Sequence, residues 1–158
     1  MQAADIAIPS NLRFVPIDFE RASIRDSLSA TDFALADQTL CSWMGVTQYL
    51  TSGALDATFR FVLSLAPSSE IVFSFILPQN VVSGVEAEAL AVAAQRAAEA
   101  GEPWLTRIDP STLAVRLRAL GFSRVIHLTP QDAHERYFQN RQDGLCERHG
   151  EQLMRAIV

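Results

Sequence analysis

Lysine is absent from these 158 residues, so all 13 basic side chains are arginine, set against 18 acidic ones for a formal charge of −5. A broad cationic face for phosphate backbones is therefore not expected, and nucleic acid is excluded as the natural partner. Cysteine is scarce as well. Cys41 and Cys146 alone rule out a disulfide framework, and with no basic, apolar and small-residue leader at the N-terminus they point to a reducing, cytoplasmic setting. The longest stretch without charge, Gln38 to Leu55, is interrupted by Gln, Ser, Thr and Gly, so a membrane-spanning segment is excluded. No G-x-S-x-G elbow supports a serine hydrolase. Cys146 and His149 form a C-x-x-H spacing, but His127, His134 and Cys41 do not complete a ligand set, and no metal is expected.

What is present is apolar: Leu, Ile, Val and Phe make up 46 residues, enough for one folded domain over residues 1–158. Short β-rich runs alternate with longer helical stripes, the pattern of an α/β fold. Leu12 to Ile17 reads as a strand, placed at an edge because Pro16 lacks an amide donor. A short helix follows from Ser23 to about Ser29, then a strand from Thr39 to Met44. Thr51 caps a helix to about Ala66, with Leu55, Phe59, Val62 and Leu63 as its buried stripe. Ile71 to Leu77 (IVFSFIL) is the strongest strand and is expected to be central. Ser83 and Glu86 spell a capping box before an Ala-rich helix ending at Gly101. Asp109-Pro110 starts a helix that Gly121 closes, with Leu113, Leu117 and Leu120 facing inward. Arg124 to Leu128 is a strand, Thr129-Pro130 opens a helix to about Phe138, and Gln152 to Val158 is the last strand. The expectation is five strands and about five helices.

Five segments, read in order, carry a resemblance: F-V-P-I-D-F-E (Phe14 to Glu20), S-W-M-G-V-T-Q-Y-L (Ser42 to Leu50), G-E-P-W (Gly101 to Trp104), L-x-x-L-G-F (Leu117 to Phe122) and R-Y-F-Q-N-R-Q-D-G-L (Arg136 to Leu145). Together they resemble the S-adenosylmethionine (SAM)-dependent methyltransferases related to leucine carboxyl methyltransferase. The resemblance implies a class I methyltransferase with strand order 3-2-1-4-5-7-6, mostly parallel with an antiparallel last strand. It also implies a glycine-rich loop after the first strand and a ribose-binding acid after the second. Neither is here, and no G-x-G occurs anywhere in the chain. The expected fold is therefore a partial Rossmann-like methyltransferase sheet lacking its first two strands, the C-terminal portion of the family's fold. Cutting the sheet there exposes an apolar edge at Thr39 to Met44. Three covers are expected for it: the Leu12 to Ile17 strand moved over, a second copy in a homodimer, or a missing N-terminal half.

The same resemblance assigns candidate residues. Asp18 and Phe19 match the pair that meets the adenine of SAM; Asp18 also reads as a turn or capping residue before Ser23. Met44 stands beside the cofactor where the family commonly has Glu, and reads equally as core filler. A thioether neither accepts strongly nor orients an ammonium, which counts against activity even with the missing half restored; without that glycine-rich half the isolated chain is expected to be inactive. Tyr49 and Trp104 could line the acceptor pocket, or serve as helix packing and a plain helix-to-helix turn. Arg141 could pair an acceptor carboxylate bidentately, or form a surface salt bridge. The family's acceptors include protein carboxylates and small-molecule oxygens, and nothing here discriminates them. The reading is an O-methyltransferase relative; the alternative is a non-catalytic remnant acting as a dimeric interaction module.

Overall fold

The computed structural model describes residues 7–158. Strand β1 (Leu40–Trp43) pairs in parallel with β2 (Glu70–Ile76). The last strand, β4 (Glu151–Ile157), lies antiparallel between β2 and β3 (Arg124–Leu128). The order β1-β2-β4-β3 places the central run where the sequence puts it. It also reproduces the 4-5-7-6 end of the order that the resemblance implies.

Period-two alternation gives the sheet one greasy face. Ile71, Phe73 and Phe75 of β2 and Met154 and Ala156 of β4 are all buried. Onto this face pack α2 (Ser52–Leu63), through Leu55, Phe59 and Val62, and α4 (Pro110–Leu120), through Leu113 and Leu117. Aromatic rings knit the layer, with Phe59 against Phe73 at 5.2 Å and edge-on to Trp43 and Phe122. Thr51 caps α2 by accepting from Ala54 N, and Asp109 caps α4 by accepting from Thr112 N. The short α1 (Ile24–Ser29), capped by Ser23, is held on α2 by Arg25 Nη2 donating to Ser64 Oγ at 2.6 Å. Beyond β3 come α5 (Pro130–Ala133) and a wider π turn, His134–Phe138.

Two expectations are corrected. Leu12 to Ile17 forms no strand, so there are four strands among the described residues rather than five, and this segment does not move over to pair β1. Without a neighbouring strand its alternating side chains have no ladder to enter. The Ser83/Glu86 capping box does not form either: α3 (Gly84–Glu99) lacks a side-chain cap at Ser83. Glu86 turns instead to the chain before β4, accepting from His149 N at 2.9 and 3.1 Å and from Gly150 N at 3.0 Å. Glu86 meets two backbone donors there, each in a charge-assisted bond, where the box would offer it one. No residue of α3 is buried, so this carboxylate is a principal tie between that helix and the sheet.

Candidate functional site

The chain leaves β1 through Gly45, whose N–H donates to Ser74 Oγ at 2.8 Å, while Thr47 Oγ1 donates to Ser74 O at 2.7 Å. These bonds pin the loop to the end of β2. Further on, the Gln48 carbonyl accepts from both Leu105 N (2.7 Å) and Thr106 N (3.1 Å), and Thr106 Oγ1 donates to Leu50 O. Ile108 N reaches Ile76 O at 2.8 Å. The 45–51 and 101–108 segments are thereby fused over the C-terminal ends of β1 and β2, the end at which open α/β sheets bind ligands.

A third segment joins them. Asp18 organises a turn: its carboxylate accepts from Glu20 N at 2.9 Å and faces Arg21 Nε at 3.7 Å, and its carbonyl accepts from Arg21 N and Ala22 N. Glu20 then grips Thr51 at the start of α2. The result is an open cleft of about 630 Å³ lined by Asp18, Tyr49, Gly101, Glu102, Pro103 and Leu105. Two carboxylates and a phenol line it, and among the described residues no basic side chain does, so it favours ligands rich in hydrogen-bond donors or carrying positive charge. Asp18 builds the turn that its capping reading expects, and it also lines the cleft.

The other sequence candidates lie elsewhere. Phe19 turns its ring toward Trp43, with centroids 5.8 Å apart. Met44 is 45% exposed at the tip of β1 and is not among the cleft residues. Trp104 is covered by the Arg107 guanidinium, 5.3 Å from its ring, and its buried indole N–H lacks an acceptor among the described residues. Arg141 is taken by Asp143 two residues on, through Nε at 2.9 Å and through Nη2. That pairing holds the Asp143 carboxyl below the usual range.

Burial pushes the Cys41 thiol up, away from thiolate, and among the described residues no group of three His, Cys, Asp or Glu side chains is placed to hold a metal. His127 shares a 2.6 Å hydrogen bond with Gln152 Oε1, whose amide donates to His149 O. The residue that sequence reading missed is Gln48. Its side chain is buried, its Nε2 donates to Gly45 O at 3.2 Å, and its Oε1 has no donor among the described residues. An uncharged Gln between Thr and Tyr carries no pattern that would mark it.

Residues 1–63 match the sequence model of the leucine carboxyl methyltransferase family. The chain is 27% identical over 146 residues to a Bacillus subtilis protein named "Putative S-adenosyl-L-methionine-dependent methyltransferase YktD", covering 92% of this chain and 48% of that one. Among solved structures, a DUF574 family protein from Streptomyces avermitilis superposes with TM-score 0.53 and 16% identity over 88% of this chain and 52% of its own. A structure from Nostoc punctiforme described as "a putative O-methyltransferase" gives TM-score 0.50 and 14% identity over 78% and 32%. These structures share the fold. The chain spans about half the length of the curated relative it matches.

Proposed function

From the kinship of this chain with the leucine carboxyl methyltransferase family, we propose that it forms the acceptor-side portion of a SAM-dependent O-methyltransferase. One observation carries the reading: Asp18, Tyr49 and Glu102, drawn from three distant segments that resemble the family, converge on one cleft at the C-terminal ends of β1 and β2. Bound SAM supplies an electrophilic methyl group on a cationic sulfonium. Asp18 takes the adenine amino group, and the Tyr49 phenol and Glu102 carboxylate face the acceptor and the positive charge. Such a reaction asks chiefly for alignment, and the fused 45–51 and 101–108 segments hold Tyr49 and Glu102 on one cleft.

The residues present fit only part of SAM. No G-x-G loop occurs in the 158 residues, so the methionine tail has no cradle among them, and Met44 offers a thioether where a carboxylate could orient an ammonium. The reading therefore has the remainder of the cofactor site supplied by a different segment, with the 158 residues inactive by themselves. Adenosine titrated into isotope-labelled chain tests the cleft: shifts concentrated at Asp18, Tyr49 and Leu105 support the reading, and shifts elsewhere, with these three silent, refute it. The second reading, a non-catalytic interaction module, draws on Met44 and on the open edge of β1. It expects no adenosine response anywhere.

A further inference from the structure

A second hollow, of about 330 Å³, opens where β3 ends and β4 begins, and it shares no residue with the cleft. Pro130 lacks an amide and stops the β3 ladder, while Thr129 and Asp132 cap each other at the start of α5. The helix does not continue in the same form. It widens into the π turn His134–Phe138, a geometry that recurs at functional sites. Ala133 and Phe138 thereby reach the hollow, facing Leu128 and Leu153, which are partners across the β3–β4 ladder. Tyr137, also in its wall, keeps its ring 58% exposed rather than joining the core.

The polar part of the wall comes from the chain entering β4. Arg148 and Glu151 both line the hollow, and no ion pair among the described residues contains either one. One positive and one negative group are thus unspent beside an apolar floor. Gln152 lies between them and β4's core face, 8% exposed and held at both ends of its amide. Its Oε1 shares the 2.6 Å bond with His127, and its Nε2 donates to His149 O at 2.8 Å. An amide nitrogen carries two N–H donors, so this fixed group has one left to offer.

We propose that the hollow binds a free apolar α-amino acid as its zwitterion, with the side chain among Leu128, Ala133, Phe138 and Leu153. The Arg148 guanidinium takes the carboxylate, helped by the second Gln152 N–H, and the Glu151 carboxylate takes the ammonium. An apolar acid without an amine would leave Glu151 facing an anion, and an apolar amine without a carboxylate would leave Arg148 facing a cation. Only a ligand with both charges answers both residues. The volume is at the small end of ligand sites, roughly 300–1,000 Å³, which suits one small molecule. Both ion pairs stand near solvent, so the affinity is millimolar. The site is independent of the methyltransferase reading, since no cleft residue takes part.

Three probes separate the two charges: L-phenylalanine, N-acetyl-L-phenylalanine, which lacks the ammonium, and phenethylamine, which lacks the carboxylate. Each is titrated into isotope-labelled chain with the Leu128, Tyr137 and Leu153 amides as reporters. L-Phenylalanine is expected to bind roughly threefold or more tighter than either of the others. Arg148→Gln is expected to weaken L-phenylalanine and N-acetyl-L-phenylalanine by a similar factor and to spare phenethylamine. Glu151→Gln is expected to weaken L-phenylalanine and phenethylamine and to spare N-acetyl-L-phenylalanine. Both positions are exposed, and the spared ligand in each variant shows that the hollow still forms. Equal affinity for all three probes, or loss of all three in either variant with the circular dichroism unchanged, would mean no reading of charge and overturns the proposal. So does silence at the three reporters, or a response confined to Asp18 and Tyr49, which would put the amino acid in the cleft.

Discussion

Both carboxylate oxygens of Glu20 are spent on Thr51, one accepting from its N–H at 2.7 Å and the other from its hydroxyl at 2.8 Å. The same hydroxyl accepts from Ala54 N as the cap of α2. A negative charge thus sits at a helix N-terminus and completes the cap, a doubly favourable place. The bond also carries Asp18 to the side of Tyr49. Glu20→Ala is expected to cost about 1 kcal/mol in urea unfolding, the scale of a lost exposed cap. It should also speed amide exchange at residues 18–22 more than anywhere in β2. Equal effects in both places would refute the tether.

Ser83 and Glu86 invite the opposite comparison. In a capping box both would matter, but here Ser83 makes no cap bond and Glu86 holds His149 and Gly150. Ser83→Ala should stay within about 0.5 kcal/mol of the parent. Glu86→Ala should cost about 1–2 kcal/mol, since it leaves two backbone donors without their charged acceptor. It should also release the His149 and Gly150 amides to exchange. A larger loss from Ser83→Ala would restore the capping box.

Gly150 is needed for space rather than for its backbone angle. A Cβ added there would sit 2.3 Å from Leu90 Cδ1 and 3.4 Å from Val82 Cγ1. Because the nearest atom ends a flexible side chain on the exposed α3, Gly150→Ala is expected to cost about 1 kcal/mol, the low end of overpacking. Leu90→Ala should relieve it, so the double variant loses less than the sum of the singles. Strict additivity in denaturant melts would place the strain elsewhere.

Acid should act through the helix caps. The Ser111 hydroxyl first, and the Thr112 N–H next, hold the Asp109 carboxyl below its usual range; for Asp132 it is the Thr129 hydroxyl, then the Thr129 N–H. A pKa lower in the folded than in the unfolded chain means stability that is fully present above the unfolded value and lost as pH falls through the folded one. Urea midpoints should therefore stay level from neutrality down to the ordinary carboxylate range and decline below it. Asp109→Asn should make that decline shallower; a decline of unchanged steepness would remove Asp109 from the account.

What the sequence made legible was local. Thr51 and Asp109 act within three residues of themselves, and the IVFSFIL run has both neighbours that its composition demands. The bonds of Glu20 and Glu86 span 31 and 63 residues, beyond any periodicity, and in Glu86 a local pattern lost to a distant one. The Leu12–Ile17 run shows the same limit, because a strand needs a partner as well as a propensity. At the site, Asp18 and Tyr49 came together, while Arg141 and Trp104 were captured by Asp143 and Arg107 two and three residues away. Short-range partners of this kind are visible in the sequence, but nothing in it says that they win.

The most direct trial of the account compares two ligands on the 158-residue chain, SAM and plain adenosine, by titration with the Asp18, Tyr49 and Leu105 amides as reporters. A cleft that reads only the adenine edge binds both at millimolar concentration and within about threefold of each other, since the methionine tail gains nothing. Micromolar SAM with millimolar adenosine would mean that these residues build a whole cofactor site, and would contradict the account at its centre.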